Sequence, residues 1–278
     1  MITPTSLLPQ RQLCLFAKHW VTGTVKTRLG ADLGMQPAAD LHHLFVRHLT
    51  DRLPPTPASP QLARPLLAVA PDSAIDQFSE ISPSWNVIAQ GSGDLGQRLQ
   101  RMFQNQLSER LRLLVIGADC PDLPAATLEA AWEQLRAADV VLGPASDGGY
   151  YLLGLRGPWE PWMARLFEQI AWSQAEVAET TRRRVAEQGR SLGELETRDD
   201  VDTLADLQRL AQRLTAAPPS DARHTAGDDA AKQRLLAGIA DIIPDRVAAW
   251  TAMENSAAEE KNSAAKPSPL QSKKGRSS

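Results

Sequence analysis

Two cysteines in 278 residues, Cys14 in an apolar run and Cys120 beside Asp119, fit neither a disulfide framework nor a clustered metal site, so a reducing cytoplasm is the expected compartment. No stretch approaches the roughly 20 apolar residues that a membrane helix needs, and the first eleven residues lack a long apolar core, which argues against membrane insertion and export. A formal net charge of −3 gives no global pull toward nucleic acid or an anionic surface, so any phosphate site must be local. The five histidines show no zinc spacing, and His42, His43 and His48 share one expected helix, where they read as surface or packing residues. Neither a Walker loop nor a GxGxxG dinucleotide fingerprint is present, and no internal repeat is visible.

What the chain does have is a globular composition, 42% hydrophobic and 23% charged, with enough length for a sizeable core. Short apolar runs at 13–17, 66–70, 86–90, 111–117, 139–142 and 150–155 read as strands, several of them buried on both faces. Between them, helical spacing appears in Leu41, Leu44, Phe45 and Leu49, in Leu95, Leu99, Met102 and Phe103, and in Leu128, Ala131, Trp132 and Leu135. Strand and helix alternate, which predicts a mostly parallel sheet covered by helices on both sides. Further helices are expected over 173–189, with Ser173 as cap and Gly189 just past the end, and from about Thr203. A domain over 11–215 is followed by an Ala-, Pro-, Ser- and Lys-rich tail, 216–278, with one possible helix around 232–253 and a disordered end.

Ligands of open α/β sheets sit outside the carboxyl ends of the strands, and two strands here end near a carboxylate, Asp119 and Asp147. Asp119 stands just before Pro121, which stops the strand, and can hold Mg²⁺ or Mn²⁺, cations that take oxygen ligands and bridge to phosphates. Helix capping is its alternative role, for which Asp122 is the better candidate. Asp147-Gly148-Gly149 fits a ligand approach and a hairpin turn equally well. After the first strand, Lys26 and Arg28 can hold phosphates by charge, with Gly23 admitting backbone N–H groups; a solvated basic loop explains them as well. Gly91, Gly93, Asp94 and Gly96 form a turn entering a helix that Asp94 caps, able to meet a nucleobase edge or to serve only as a connection. Four acids between Arg198 and Leu207 exceed what capping by Asp202 or Thr203 needs, and a second metal carboxylate is the sharper reading. Trp172-Ser173 reads as a helix entry or a sugar-stacking platform.

Taken in order, Gly23-x-Val25-Lys26-Thr27-Arg28-Leu29, Gly93-Asp94-Leu95-Gly96-x-Arg98, Ile116-Gly117-x-Asp119-Cys120-Pro121-x-Leu123, Leu142-Gly143-Pro144-Ala145-x-Asp147-Gly148-Gly149-Tyr150-Tyr151, Trp172-Ser173 and Asp200-Val201-Asp202-Thr203-x-x-Asp206-Leu207 resemble a bacterial family of GT-A-like transferases. That family is classed with glycosyltransferases of arsenosugar biosynthesis. Its architecture is similar to that of the guanylyltransferase of the deazaflavin pathway, which shares a Lys-Thr-Arg-Leu loop. The resemblance implies a three-layer nucleotide-diphospho-sugar transferase fold and a nucleotide or nucleotide sugar bound over the N-terminal half of the sheet. It implies Lys26 and Arg28 at the phosphates, the 91–96 turn at the base, Asp119 with Asp202 at Mg²⁺ or Mn²⁺, and Asp147 orienting or deprotonating a small-molecule acceptor. Glycosyltransferases of this architecture usually carry Asp-x-Asp where this chain has Asp119-Cys120-Pro121, and Gln174 replaces the usual Thr after Trp172-Ser173. A glycosyltransferase is the leading expectation, a nucleotidyltransferase acting on a phosphorylated metabolite the second, and a catalytically silent nucleotide-binding module the third.

Overall fold

The computed structural model describes residues 10–53, 64–172, 174–215 and 226–250. In chain order these are β1 (Gln10–Lys18), α1 (Thr27–Leu33), α2 (Met35–Arg52), β2 (Leu66–Ala70), α3 (Ile75–Ile81), β3 (Asn86–Ala89), α4 (Leu95–Gln106), β4 (Leu111–Gly117), α5 (Ala125–Gln134), β5 (Val140–Pro144), β6 (Tyr150–Arg156), α6 (Val177–Glu187), β7 (Leu192–Glu194), α7 (Leu204–Thr215) and α8 (Ala226–Ile242). One sheet runs β3-β2-β1-β4-β6-β5-β7. All neighbours are parallel except β6, which lies antiparallel between β4 and β5. The expected mostly parallel, three-layer α/β fold is therefore present. Its polarity matters for function, because β1, β2, β4 and β5 end, and β6 begins, at the same sheet edge.

Alternation along each strand divides the core. Leu13, Leu15, Leu67, Val69, Leu114 and Ile116 face α2, α3 and α5, meeting Leu49, Phe78, Leu128 and Trp132. Cys14, Phe16, Ala68, Leu113 and Val115 face the opposite layer, where Leu99, Met102 and Phe103 of α4 pack beside Ala178 and Val185 of α6. A third cluster joins Leu29, Leu41 and Phe45 to Leu207 and Leu210 of α7 and Leu235 and Ile239 of α8. Leu235 and Ile239 are fully buried, each stabilising by roughly 1.5–3 kcal/mol, so the helix expected around 232–253 begins earlier, at Ala226, and packs on the domain. Residues 216–225 and 251–278, which carry the rest of the expected tail, lie outside the described residues.

Other boundaries differ for identifiable reasons. The helix expected from Ser173 starts at Val177, and Ser173 lies outside the described residues; Gly189, with φ 62°, does follow its end. Asp122 does not cap α5, whose N-cap is Pro124; it accepts instead from Arg213 Nε at 2.8 Å. β7, α1 and α3 carry little sequence signal, since Leu192-Gly193-Glu194 has no apolar run and the two helices are seven residues each. No helix among the described residues is long and apolar enough to cross a membrane.

His48 on α2 shows what packing does to the histidines of this helix. Burial, then Arg52 of the same helix and Arg234 of α8, push its pKa down to about 4, against a smaller opposing pull from Asp122. The unfolded chain therefore binds more protons than the folded one between about pH 6.5 and 4, and stability falls as pH drops through that window. Between pH 7 and pH 5 His48 should account for about 2 kcal/mol of lost stability. Urea titrations at both pH values should show this loss shrinking in His48→Gln; an unchanged difference sinks the assignment.

Candidate active site

A cavity of about 860 Å³ opens at the carboxyl edge of the sheet, lined from both halves of the chain. The first lining segment follows β1. There the chain passes Gly23 (φ 79°) and reaches Lys26 at the N-cap of α1 with left-handed angles, φ 48° and ψ 41°. A non-glycine residue in that region is strained, and surrounding contacts must hold it. They are visible here: the Lys26 side chain is 3% exposed, its Nζ contacts Asp119 Oδ1, and it donates to Asp202 Oδ1 at 2.9 Å. Arg28, 65% exposed, pairs with the other oxygen of Asp202. Burial alone would push the Lys26 ammonium pKa down, but the two carboxylates outweigh it and hold it above the ordinary lysine value. Burial likewise favours the neutral form of Asp119, yet Lys26 brings its carboxyl below the usual range.

Asp202 reaches this point because Val201, fully buried, donates its N–H to Asp119 O at 2.9 Å. The four acids sort by this arrangement. Asp206 closes the start of α7, accepting from Asp202 N at 3.1 Å and Thr203 N at 2.7 Å while its own N–H donates to Thr203 Oγ1 at 3.3 Å. Asp199 faces Arg209 and Arg213 at 3.5 and 3.6 Å. Asp200 and Asp202 line the cavity. Sequence reasoning missed Asp200; burial, then Asp147, Asp202 and Asp119, push its pKa up to about 6. The signal was its spacing, since an extended segment anchored by buried Val201 turns its neighbours at i−1 and i+1 the other way.

Asp147 also lines the cavity and at the same time closes the β5–β6 turn, accepting from Gly149 N at 2.8 Å. The hairpin turn expected of this segment is therefore present, and Asp147 and Gly149 border the cavity. Across the cavity, Asp94 caps α4 in a reciprocal capping box with Gln97. Gly93 and Asp94 line the cavity, whereas Gly23, Gly91 and Gly96 do not. Gly91 (φ 77°) lies against Arg101, with Nη1 2.6 Å from where a Cβ would sit, and a Cβ on Gly96 would fall 2.5 Å from Trp172 Nε1 and 2.7 Å from Phe167 O. Close packing, rather than ligand approach, is what these two glycines serve in this geometry.

Two further residues escaped the sequence. Gln90, 5% exposed, donates from Nε2 to Ala17 O (3.1 Å) and Ala68 O (2.8 Å), closing the floor between β1 and β2. His42 ties α2 to the end of β1 through a 2.9 Å bond between Nε2 and Lys18 O. Cys120 lines the cavity but burial holds its thiol protonated, its Sγ donating to Asp199 O at 3.4 Å. Among the described residues no group of three or more His, Cys, Asp or Glu side chains is arranged to hold a metal ion unaided.

Comparison with known proteins is consistent with this geometry. Residues 57–174 match a family described as an uncharacterized protein conserved in bacteria (DUF2064). No curated protein matches the sequence. Among solved structures, a protein from Desulfovibrio desulfuricans G20, provisionally assigned as a nucleotide-diphospho-sugar transferase, is 28% identical, with TM-score 0.65 over 84% of this chain and 99% of its own. The 4-diphosphocytidyl-2C-methyl-D-erythritol synthase of Anaerococcus prevotii DSM 20548 is more distant, at 10% identity and TM-score 0.47 over 72% of this chain and 93% of its own. The chain has the nucleotide-diphospho-sugar transferase fold.

Proposed function

We propose that this chain is a transferase that takes its group from a nucleotide sugar, aided by Mg²⁺ or Mn²⁺ at Asp119 and Asp202. The observation that carries the reading is the meeting of Asp119, from the end of β4, and Asp202, from the start of α7, on one lysine ammonium inside the cavity. Separated carboxylates that already share a positive charge fit a divalent cation, and Mg²⁺ is commonly held by one or two carboxylates with substrate phosphates completing its shell. A bound cation would supply neutralisation of the charge that develops on the departing diphosphate.

The chain's own residues carry the rest. Lys26 and Arg28 stand where phosphates would replace the carboxylates as their partners, and fixed cations in a partly closed site stabilise developing charge without reorganisation. Gly93 and Asp94 border the space available to a base. Asp147, on the far wall, would orient an acceptor hydroxyl and take its proton, a role supported by its position in the cavity lining. A second reading, nucleotidyl transfer from a nucleoside triphosphate to a phosphorylated metabolite, draws on the single carboxylate at Asp119, with no second Asp beside it.

Thermal unfolding with Mg²⁺ or Mn²⁺ and panels of nucleotide sugars and nucleoside triphosphates separates the two. Protection by a nucleotide sugar and not by triphosphates is the expected result; the reverse pattern replaces it with nucleotidyl transfer. Asp119→Asn should abolish the metal dependence of that protection. If metal and nucleotide bind Asp119→Asn unchanged and no donor turns over, the chain is a silent binding module.

A further inference from the structure

The cations of the cavity all come from one half of the sequence, which adds a single aspartate, Asp94, to the described lining. Every Lys and Arg in its described lining, Lys18, Lys26, Arg28 and Arg98, precedes β4; from Gly117 onward the described lining contributes four aspartates and no cation. Two of the four, Asp119 and Asp202, are matched by Lys26 and Arg28. For Asp147 and Asp200, no ion pair is found among the described residues. Arg198, whose backbone carbonyl accepts from Ser146 N at 2.9 Å on this wall, pairs with neither carboxylate; its guanidinium meets Thr127 Oγ1 at 3.4 Å and the Tyr151 hydroxyl. Two aromatic rings also line the cavity: Tyr150, which follows the Asp147 turn at the start of β6, and Trp172, which packs over Gly96 at the start of α4, edge to face with centroids 6.3 Å apart.

We infer that the Asp147–Asp200 wall receives an acceptor that is neutral or cationic and presents an apolar or flat face, and that it rejects phosphorylated and carboxylated acceptors. Like charges brought together in a partly closed cavity discriminate against a partner more sharply than favourable contacts select for one. Aromatic faces add attraction for an apolar surface or for an ammonium. The cations needed for a second phosphate are absent from this wall, and those of the other wall are claimed by the donor's diphosphate. The word acceptor rests on the transferase reading above; the charge division is a property of the cavity itself. Where both hold, they favour sugar transfer to a neutral or amine-bearing hydroxyl compound over transfer to a phosphate.

Three probes that share a phenyl ring and differ in charge test this: phenethylammonium, 2-phenylethanol and phenyl phosphate. Their binding to the full chain is measured by saturation-transfer NMR in the presence of Mg²⁺ and inorganic pyrophosphate, which occupies the Lys26–Arg28 side. Phenethylammonium is expected to bind about tenfold more tightly than phenyl phosphate, with 2-phenylethanol between them. Asp147→Asn and Asp200→Asn should each shrink that preference about threefold or more, while Trp172→Ala weakens 2-phenylethanol and phenethylammonium together. The amide oxygen introduced by Asp147→Asn can still accept from Gly149 N, so the turn is retained in that variant. The inference is overturned if phenyl phosphate binds as tightly as phenethylammonium, or if the preference survives both aspartate substitutions. Failure of every nucleotide to protect the fold would sink the transferase reading and leave this result standing, so the two outcomes are distinguishable.

Discussion

Lys26→Ala is expected to lower turnover of the protecting donor by roughly 10²–10³-fold, the scale seen when one fixed charge-stabilising group is removed from a transition state. The loss should come with weaker donor binding, because the same ammonium is placed for ground-state phosphates. Arginine should not rescue: the Lys26 side chain is 3% exposed, and a planar guanidinium needs a different shape of hole from a compact ammonium. Stability should fall by only about 1–2 kcal/mol, the part owed to the side-chain contacts that hold the left-handed backbone of residue 26. A buried ion pair broken from one side costs about 3–5 kcal/mol, but Asp119 is 50% exposed and Asp202 28%, so both can rehydrate when the lysine goes, and Arg28 still serves Asp202. Urea unfolding and steady-state kinetics on one preparation check the pair of expectations. A large stability loss with retained turnover assigns Lys26 to structure alone.

Gly148→Ala is expected to have the opposite profile. Gly148 has φ 90°, and a Cβ there would overlap the carbonyl oxygen of Ala175; its own carbonyl accepts from Ala178 N at 2.9 Å, inside the first turn of α6. Alanine must therefore bear backbone strain and also push apart two backbones that bond at Gly148 itself, three residues along from Ala175, with no flexible side chain to yield. Together these cost roughly 3–4 kcal/mol. Gly23→Ala is the control, since Gly23 also has positive φ, 79°, but nothing lies within 4 Å of its Cβ position. Strain alone limits its loss to about 1 kcal/mol. Equal urea midpoints for the two variants would show that the Ala175 contact does not matter.

Much of this is legible without the structure, and the reasons differ by residue. Asp94 is readable as a cap because the two residues that make the capping box, Asp94 and Gln97, lie only three positions apart in sequence. The strands are readable because both faces of most of them are buried, so apolar runs are unbroken, as in Leu66–Ala70. Asp119 is placed by the proline that ends its strand, and Asp202 by an excess of acid over what a cap requires. What stays hidden depends on distance along the chain. Asp122 looks like a cap because Arg213, its partner, is 91 residues away. Gly91 and Gly96 look like ligand contacts because Arg101 and Trp172 cannot be seen packing over them in one dimension. The unequal charge of the two walls needs the fold, since it emerges only when the lining residues are gathered from both halves.

The backbone bond from Val201 to Asp119 also sets when the site comes into being. Synthesis delivers Lys26 early, Asp119 near the middle and Asp202 well after β6 has been made. The pairings among β1, β4 and β6 need nothing beyond Arg156, so the centre of the sheet can assemble while the segment carrying Asp202 is still to come. The two-carboxylate bridge cannot. Synthesis therefore delivers every residue of the central strand pairings before the residue that completes the pocket. The residue that closes the Lys26 bridge is thus among the last parts of the pocket to be made.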